Sequence, residues 1–302
     1  MADFDATWQT TFQQLGPTSA ALLRLTAFLA PDSIPVEMFE KGAGVIDEAA
    51  ALFCEETGRQ PAPCPVREAL AELAASSLIT LQDEERFAVH PMAQEALRSH
   101  IPADRLRAWI EQALRIVNAS AAGDTGDLRT WPLWDLLRPH ISRIVVQADE
   151  AGIAEPTGKL MNDLGLLLKA KGLYDDAEPL LRRALDINEQ AFGTEHHSVA
   201  IRLNNLALLL QATDRPAEAE PLIRRALGIA EKALGTEHPK VAIALNNLAQ
   251  LLQATGRLAE AEPLMRRALE IWERSLPPGH PWTEGARENL KALLEQKDTP
   301  GA

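Results

Sequence analysis

The sequence predicts an all-α chain in which helical hairpins stack into an α-α superhelix, preceded by a small domain that carries a β-hairpin. Three observations predict this. A block of about 42 residues recurs, reading VAIRLNNLALLLQATDRPAEAEPLIRRALGIAEKALGTEHPK from Val199 and VAIALNNLAQLLQATGRLAEAEPLMRRALEIWERSLPPGHPW from Val241. Within each block Leu203, Leu206 and Leu210, and again Leu245, Leu248 and Leu252, form the i, i+3, i+7 stripe of a helix buried on one side. Near residue 80, LITLQ and FAVH alternate around the charged turn DEER, as a strand-turn-strand does.

Along residues 1–102 the pattern predicts short helices at TWQTTFQQL, SAALLRLTAFLA (stopped by Pro31), PVEMFEKG, Asp47 to Cys54 and VREALAELAASS. The hairpin follows, and Pro91 then opens a helix over MAQEALRSH at a position that tolerates proline. Helices with a terminal β-wing make a winged-helix module. Residues 103–156 read as a degenerate helical pair joining two modules, broken at AAGDTGDLRT, with Pro139 predicting a kink or boundary. Repeats occupy 157–198, 199–240 and 241–282, and a capping helix covers 283–297. In the second helix of each unit Ala219, Ile223 and Ala226 return as Ala261, Met265 and Ala268, so small residues let antiparallel helices approach. Pro179, Pro221 and Pro263 fall inside those helices and are expected to bend each one alike.

Net charge is -13. Residues 1–102 hold 15 Asp/Glu against 6 Lys/Arg, whereas 157–302 hold 20 against 18. The acidity of the front third would repel a phosphate backbone and argues against nucleic acid as a partner. No apolar run of membrane-spanning length is present and MADFDATWQTTF does not read as a secretory leader, so the expected location is the cytoplasm, with no membrane partner expected. Cys54 and Cys64 lack companion ligands and read as free thiols.

The small-residue register with the LNNLA, AEPL-x-RRAL and GTEHP phrases resembles the tetratricopeptide repeat, and in particular the long repeats of kinesin light chains and their bacterial relatives. The front module resembles the winged-helix segment of NB-ARC type STAND ATPases, through ELAASSLITLQDEERFAVHPMAQEALR. That resemblance implies an order of effector, ATPase core, winged helix and sensor repeats, of which this chain would be the regulatory and sensing half. A free-standing adaptor is the alternative, and a winged-helix DNA-binding regulator a third reading. In either of the first two the partner is a protein or peptide; the chain by itself is expected to be a monomer.

The sharpest candidate site is a row of side-chain amides. Asn205, Asn247 and Asn289 recur on the first helix of each unit with Asn204 and Asn246 beside them; Asn162 and Asp163 hold the equivalent places in the first copy. Amides carry both donor and acceptor and can pair with any extended peptide backbone. In the families resembled, Asn at these places lines the concave groove, and Lys169, Gln211 and Gln253 further along the same helices would tune selectivity. Inter-repeat hydrogen bonding is the other reading of the row.

Arg182/Arg183, Arg224/Arg225 and Arg266/Arg267 suggest a basic stripe, but Glu178, Glu220 and Glu262 precede them by four residues and favour helical ion pairs. His196, His238 and His280 share the period and stand too far apart to meet around one metal, so they are read as linker packing. His90 matches the His of the MHD motif, which in the resembled ATPases contacts ADP; here Pro91 follows, and a structural role in capping the wing competes with a nucleotide role that needs an ATPase core to supply ADP or ATP. A phosphate loop is absent, since the stretch from Gly152 to Gly158 has the wrong spacing and Leu160 stands where Ser or Thr belongs. No catalytic constellation, metal site or cofactor site of the chain's own emerges, and the chain is not expected to be an enzyme.

Overall fold

The computed structural model describes residues 10–298. The expected helix over TWQTTFQQL lies partly outside them; its described part, 10–14, is helical. The chain divides into two compact units between Leu167 and Leu168.

The first unit is built around α1 (Pro17–Thr26), which begins on a proline and is buried along its whole length. It is followed by β1 (Ile34–Pro35), α2 (Val36–Lys41), α3 (Ala43–Thr57), α4 (Val66–Ala75), β2 (Thr80–Leu81), β3 (Arg86–Ala88) and α5 (Pro91–Ser99). The hairpin forms with Thr80 opposite Ala88 and Leu81 opposite Phe87. Its turn is held by Asp83, whose carboxylate accepts from the Glu85 N–H at 2.9 Å and pairs with Arg86 at 2.6 Å. The Arg86 side chain hydrogen-bonding to Asp83 holds that carboxyl below its ordinary range. A third strand goes beyond the sequence expectation: β1 joins antiparallel to β3, placing Ile34 opposite Phe87 and giving the order β1-β3-β2. Two residues are too few to show an alternation, so only the partner strand reveals it.

Residues 103–156 do more than connect. Helices α6 (Leu106–Ser120) and α7 (Trp131–Glu150) pack into this unit, α6 against α1, α2 and α3, and α7 against α6 and β1. Trp109 and Trp134 are among the largest fully buried side chains. The Gln147 amide donates to Phe28 O at 3.0 Å, and His140 Nε2 lies 3.3 Å from Ser33 O. At the centre, Arg24 and Glu56 form a buried ion pair; the guanidinium lies 4.8 Å from the Phe53 ring and 5.1 Å from the Trp109 ring, and the Trp109 N–H donates to Glu56 at 2.7 Å. Pro139 marks neither break nor boundary, because α7 continues through it. Helix α8 (Thr157–Ala170) reaches the division between the units.

The second unit alternates first and second hairpin helices: α9 (Tyr174–Phe192), α10 (His197–Ala212), α11 (Pro216–Leu234), α12 (Pro239–Ala254), α13 (Leu258–Ser275) and α14 (Pro281–Asp298). Successive helices pack on one another, and the leucine stripes and small residues form the core as expected: Leu203, Leu245, Ala207, Ala249, Ala219, Ile223, Ala261 and Met265 are all fully buried. Helices α9, α11 and α13 run on through Pro179, Pro221 and Pro263. Gly193 and Gly235 end α9 and α11 at φ 83 and 86, which explains the glycine that opens the linkers GTEHH and GTEHP.

Each linker histidine has a definite task. The Nδ1 atoms of His196, His238 and His280 accept from the N–H groups of Ser198, Lys240 and Trp282 at 3.3, 3.1 and 3.2 Å, capping α10, α12 and α14. They act as helix N-caps, which their reading as linker packing did not include. His90 does the same for α5, accepting from Met92 N at 3.2 Å; it is exposed, and it caps the following helix rather than the wing.

Arg182, Arg224 and Arg266 pair with Glu178, Glu220 and Glu262 at 2.7 to 2.8 Å, as the four-residue spacing predicts. The same carboxylates also reach the next repeat: Arg215 meets Glu178 at 2.7 Å, Arg257 meets Glu220 at 2.6 Å, and Lys297 meets Glu262 at 2.6 Å. The arginine stripe therefore belongs to a repeated inter-hairpin clamp. Each pair is partly exposed and contributes at most about 1 kcal/mol.

Candidate functional site

Within the second unit, α10, α11 and α12 enclose a pocket of about 240 Å³. Its walls are aliphatic, formed by Ala200, Ile201, Ala226, Ala230, Leu234, Ile243 and Ala244, and its polar groups are His197, Asn204, Asn205 and Lys240. Local sequence explains the arrangement. Asn204 and Asn205 follow Leu203 on α10, so the turn that buries the leucine leaves the two amides half-buried beside the hollow. His197 and Lys240 sit in the first turns of α10 and α12, just beyond the histidine caps. Burial, the neighbouring His196 and Lys240 hold the His197 imidazole below its ordinary value.

The amide row is less open than the sequence suggests. Asn247 Nδ2 donates to Asn204 Oδ1 at 2.8 Å, tying one repeat to the next, and Asn247 is 8% exposed. The inter-repeat reading holds for this pair, because adjacent first helices bring positions 204 and 247 side by side. Gln253 Nε2 donates to Gln296 Oε1 at 3.2 Å on the capping helix. Gln211 Nε2 and Asn246 Oδ1, in contrast, are buried polar atoms with no partner among the described residues. Such atoms are costly unless something supplies their hydrogen bonds. Asn289 is half-buried on α14. Lys169, in the last turn of α8, has its ammonium held below the usual range by desolvation.

Asn162 and Asp163 fall in the first unit. Asn162 is buried and donates to Asp163 Oδ1 at 3.1 Å; Asp163 pairs with Lys159 at 3.0 Å, and Lys159 reaches Asn118 on α6 at 3.1 Å. These two residues are therefore tied to each other and, through Lys159, to α6. Sequence reasoning missed the pocket residues Ala230, Lys240, Ile201 and Ile243. A signal for two of them existed in the departures from the repeat, for Ala230 is replaced by Trp272 and Lys240 by Trp282 one unit later. Trp272 is buried, donates its indole N–H to Pro239 O at 3.1 Å and lies 6.0 Å from the Trp282 ring.

Among the described residues no cluster of three or more His, Cys, Asp or Glu could hold a metal ion. Both cysteines are free, Cys54 buried and Cys64 half-buried.

Comparison with known proteins assigns the repeats. Residues 157–232, 201–274 and 240–300 match the tetratricopeptide repeat family, so this part of the chain is a tetratricopeptide repeat array. Residues 10–106 match a family described as a domain of unknown function, DUF7779. No curated protein matches. Among solved structures, the chain is similar to a Podosopora anserina protein described as a putative kinesin light chain with nearly identical TPR-like repeats, at 24% identity over 64% of this chain and 87% of that one, with a TM-score of 0.46. A single-residue variant of that protein gives 23%, 66%, 90% and 0.47. BtubC (BKLC) from P. vanneervenii gives 22%, 66%, 85% and 0.46. No helix among the described residues is long and apolar enough to cross a membrane.

Proposed function

We propose that the repeats hold an extended segment of a partner protein against the first helices of the hairpins, and that the front unit passes the occupancy of that site to an NB-ARC type ATPase core. The observation that carries the binding reading is a pair of spare groups on the first helices, Gln211 Nε2 and Asn246 Oδ1, which lack partners among the described residues; an open apolar pocket lies between α10, α11 and α12 in the same unit. A peptide backbone supplies both the acceptor and the donor these amides need.

The relay reading draws on the front unit. A three-stranded sheet in the order β1-β3-β2 is consistent with a winged helix, and His90 heads α5 as its N-cap, which supports likening it to the His of the MHD motif in the resembled ATPases. A relay requires two arrangements with different affinities for the partner. The acidity of the same unit disfavours nucleic acid as its partner, and the cytoplasm is the proposed location. The test is affinity capture from the native host with the full chain and with its Asn205→Ala/Asn246→Ala variant. The expected result is a protein retained by the first and lost by the second while the fold is unchanged by circular dichroism. Equal recovery by both would remove the site from the amide row.

A further inference from the structure

The pocket between α10, α11 and α12 is lined on the α11 side by the small residues Ala226 and Ala230 and by Leu234. Ala230 lines it, and one repeat further on the corresponding residue is Trp272, a buried indole flanked by Trp282 at the place corresponding to Lys240. The array therefore offers an open pocket where Ala230 stands and a side chain of its own where Trp272 stands. At about 240 Å³ the open pocket lies below the roughly 300–1,000 Å³ of sites that enclose drug-sized molecules. It suits a single side chain.

The walls say which kind. Seven of the eleven lining residues are alanine, leucine or isoleucine, beside His197, Asn204, Asn205 and Lys240. An indole brings an N–H that needs an acceptor set at the right place, as Trp272 finds in Pro239 O. An aliphatic chain brings no such demand. Charge points the same way at the mouth: no Asp or Glu lines the pocket, and Lys240 forms no ion pair with any described residue, although the outer arginines Arg215, Arg224, Arg257 and Arg266 are each held by glutamates. A cation left beside an apolar hollow is matched by a carboxylate from outside.

We infer that this pocket is the register-setting socket of the peptide site: it seats one aliphatic side chain, of leucine or methionine size, from an acidic segment of the partner, and Lys240 receives a neighbouring Asp or Glu. The inference rests on the peptide-binding reading and adds to it the chemistry of the ligand and the residue, Ala230, that admits it. Anchoring at one socket gives the otherwise sequence-tolerant amide row a fixed starting point.

The test is selection of a random dodecapeptide phage library on the immobilised full chain, followed by affinity measurement on synthetic, end-capped copies of the enriched peptides. The expected motif has Leu or Met within two residues of Asp or Glu. Ala230→Trp is expected to weaken those peptides at least about tenfold. Because a large residue could disturb packing, Lys240→Glu, on the exposed rim, is measured beside it and is expected to lose about as much, with unchanged thermal unfolding. Enriched peptides dominated by Trp, or by basic residues, would overturn the inference. So would peptides whose affinity survives both substitutions; if Asn205→Ala/Asn246→Ala still abolishes their binding, the amide site stands and only the socket falls. Enrichment of no peptide at all overturns both.

Discussion

Removing Glu56 tests how firmly α6 belongs to the first unit. The Glu56 side chain is 5% exposed and that of its partner Arg24 is 8% exposed. Glu56→Ala leaves a guanidinium in the core with no carboxylate, among Phe12, Phe53 and Trp109. Breaking a buried ion pair from one side costs about 3–5 kcal/mol. The same change leaves the Trp109 N–H without its acceptor, a loss of about 1–3 kcal/mol when taken alone, and the two overlap because one carboxylate serves both groups. A net loss of about 4 kcal/mol is expected, a large share of the roughly 5–15 kcal/mol that holds a domain together. Removing both charges in Arg24→Met/Glu56→Leu should recover more than half of it, since apolar residues of similar volume replace such pairs at little cost. The assay is urea unfolding with hydrogen exchange read peptide by peptide, so that the two units are followed separately. Exchange over residues 106–120 should rise together with that of α1 and α3. A loss below about 1 kcal/mol, or protection of 106–120 that survives while α1 opens, would refute the placement of α6 in this core.

Two further outcomes are expected. His140 is wholly buried, and burial lowers its pKa from 6.5 to about 4, outweighing the Ser33 carbonyl that raises it. The unfolded chain binds a proton near pH 6.5 that the folded chain refuses, so this contribution is complete above that pH and is lost progressively between about 6.5 and 4. The whole amounts to roughly 3 kcal/mol; the pH profile of unfolding for wild type minus that for His140→Leu should show it, and parallel profiles would exclude it. Asp214 stands at φ 56 in a turn where the neighbouring repeats have Gly172 and Gly256 at φ 76 and 75. Asp214→Gly should raise stability by about 0.5–1 kcal/mol in thermal unfolding, because a left-handed conformation strains residues with a Cβ; a lowered melting temperature would count against it.

Two kinds of residue separate what is legible in the sequence from what is not. Leu203, Leu206 and Leu210 announce their helix face through spacing alone, and the alternation around DEER announces the hairpin, because both signals are local and periodic. The ion pairs of Arg182, Arg224 and Arg266 are equally readable from a four-residue interval. Asn247 is not: in sequence it is one member of an open row, and its bond to Asn204 depends on how two helices 43 residues apart are set side by side. His196, His238 and His280 fall between, with their period visible and their capping role hidden, since a cap depends on backbone geometry at one residue.

The sequence by itself determined that this chain is a helical repeat array behind a small mixed domain, and it placed the amide row on the first helix of each hairpin. Short-range periodicity suffices for that, since a helix buries whichever face its neighbours in sequence make apolar. Tertiary structure alone decided that β1 completes the sheet, that α6 joins the first core through Arg24, Glu56 and Trp109 and α7 through its packing on α6 and β1, and that a pocket opens between α10, α11 and α12. Those features arise from side chains tens of residues apart meeting in space, which no local period announces.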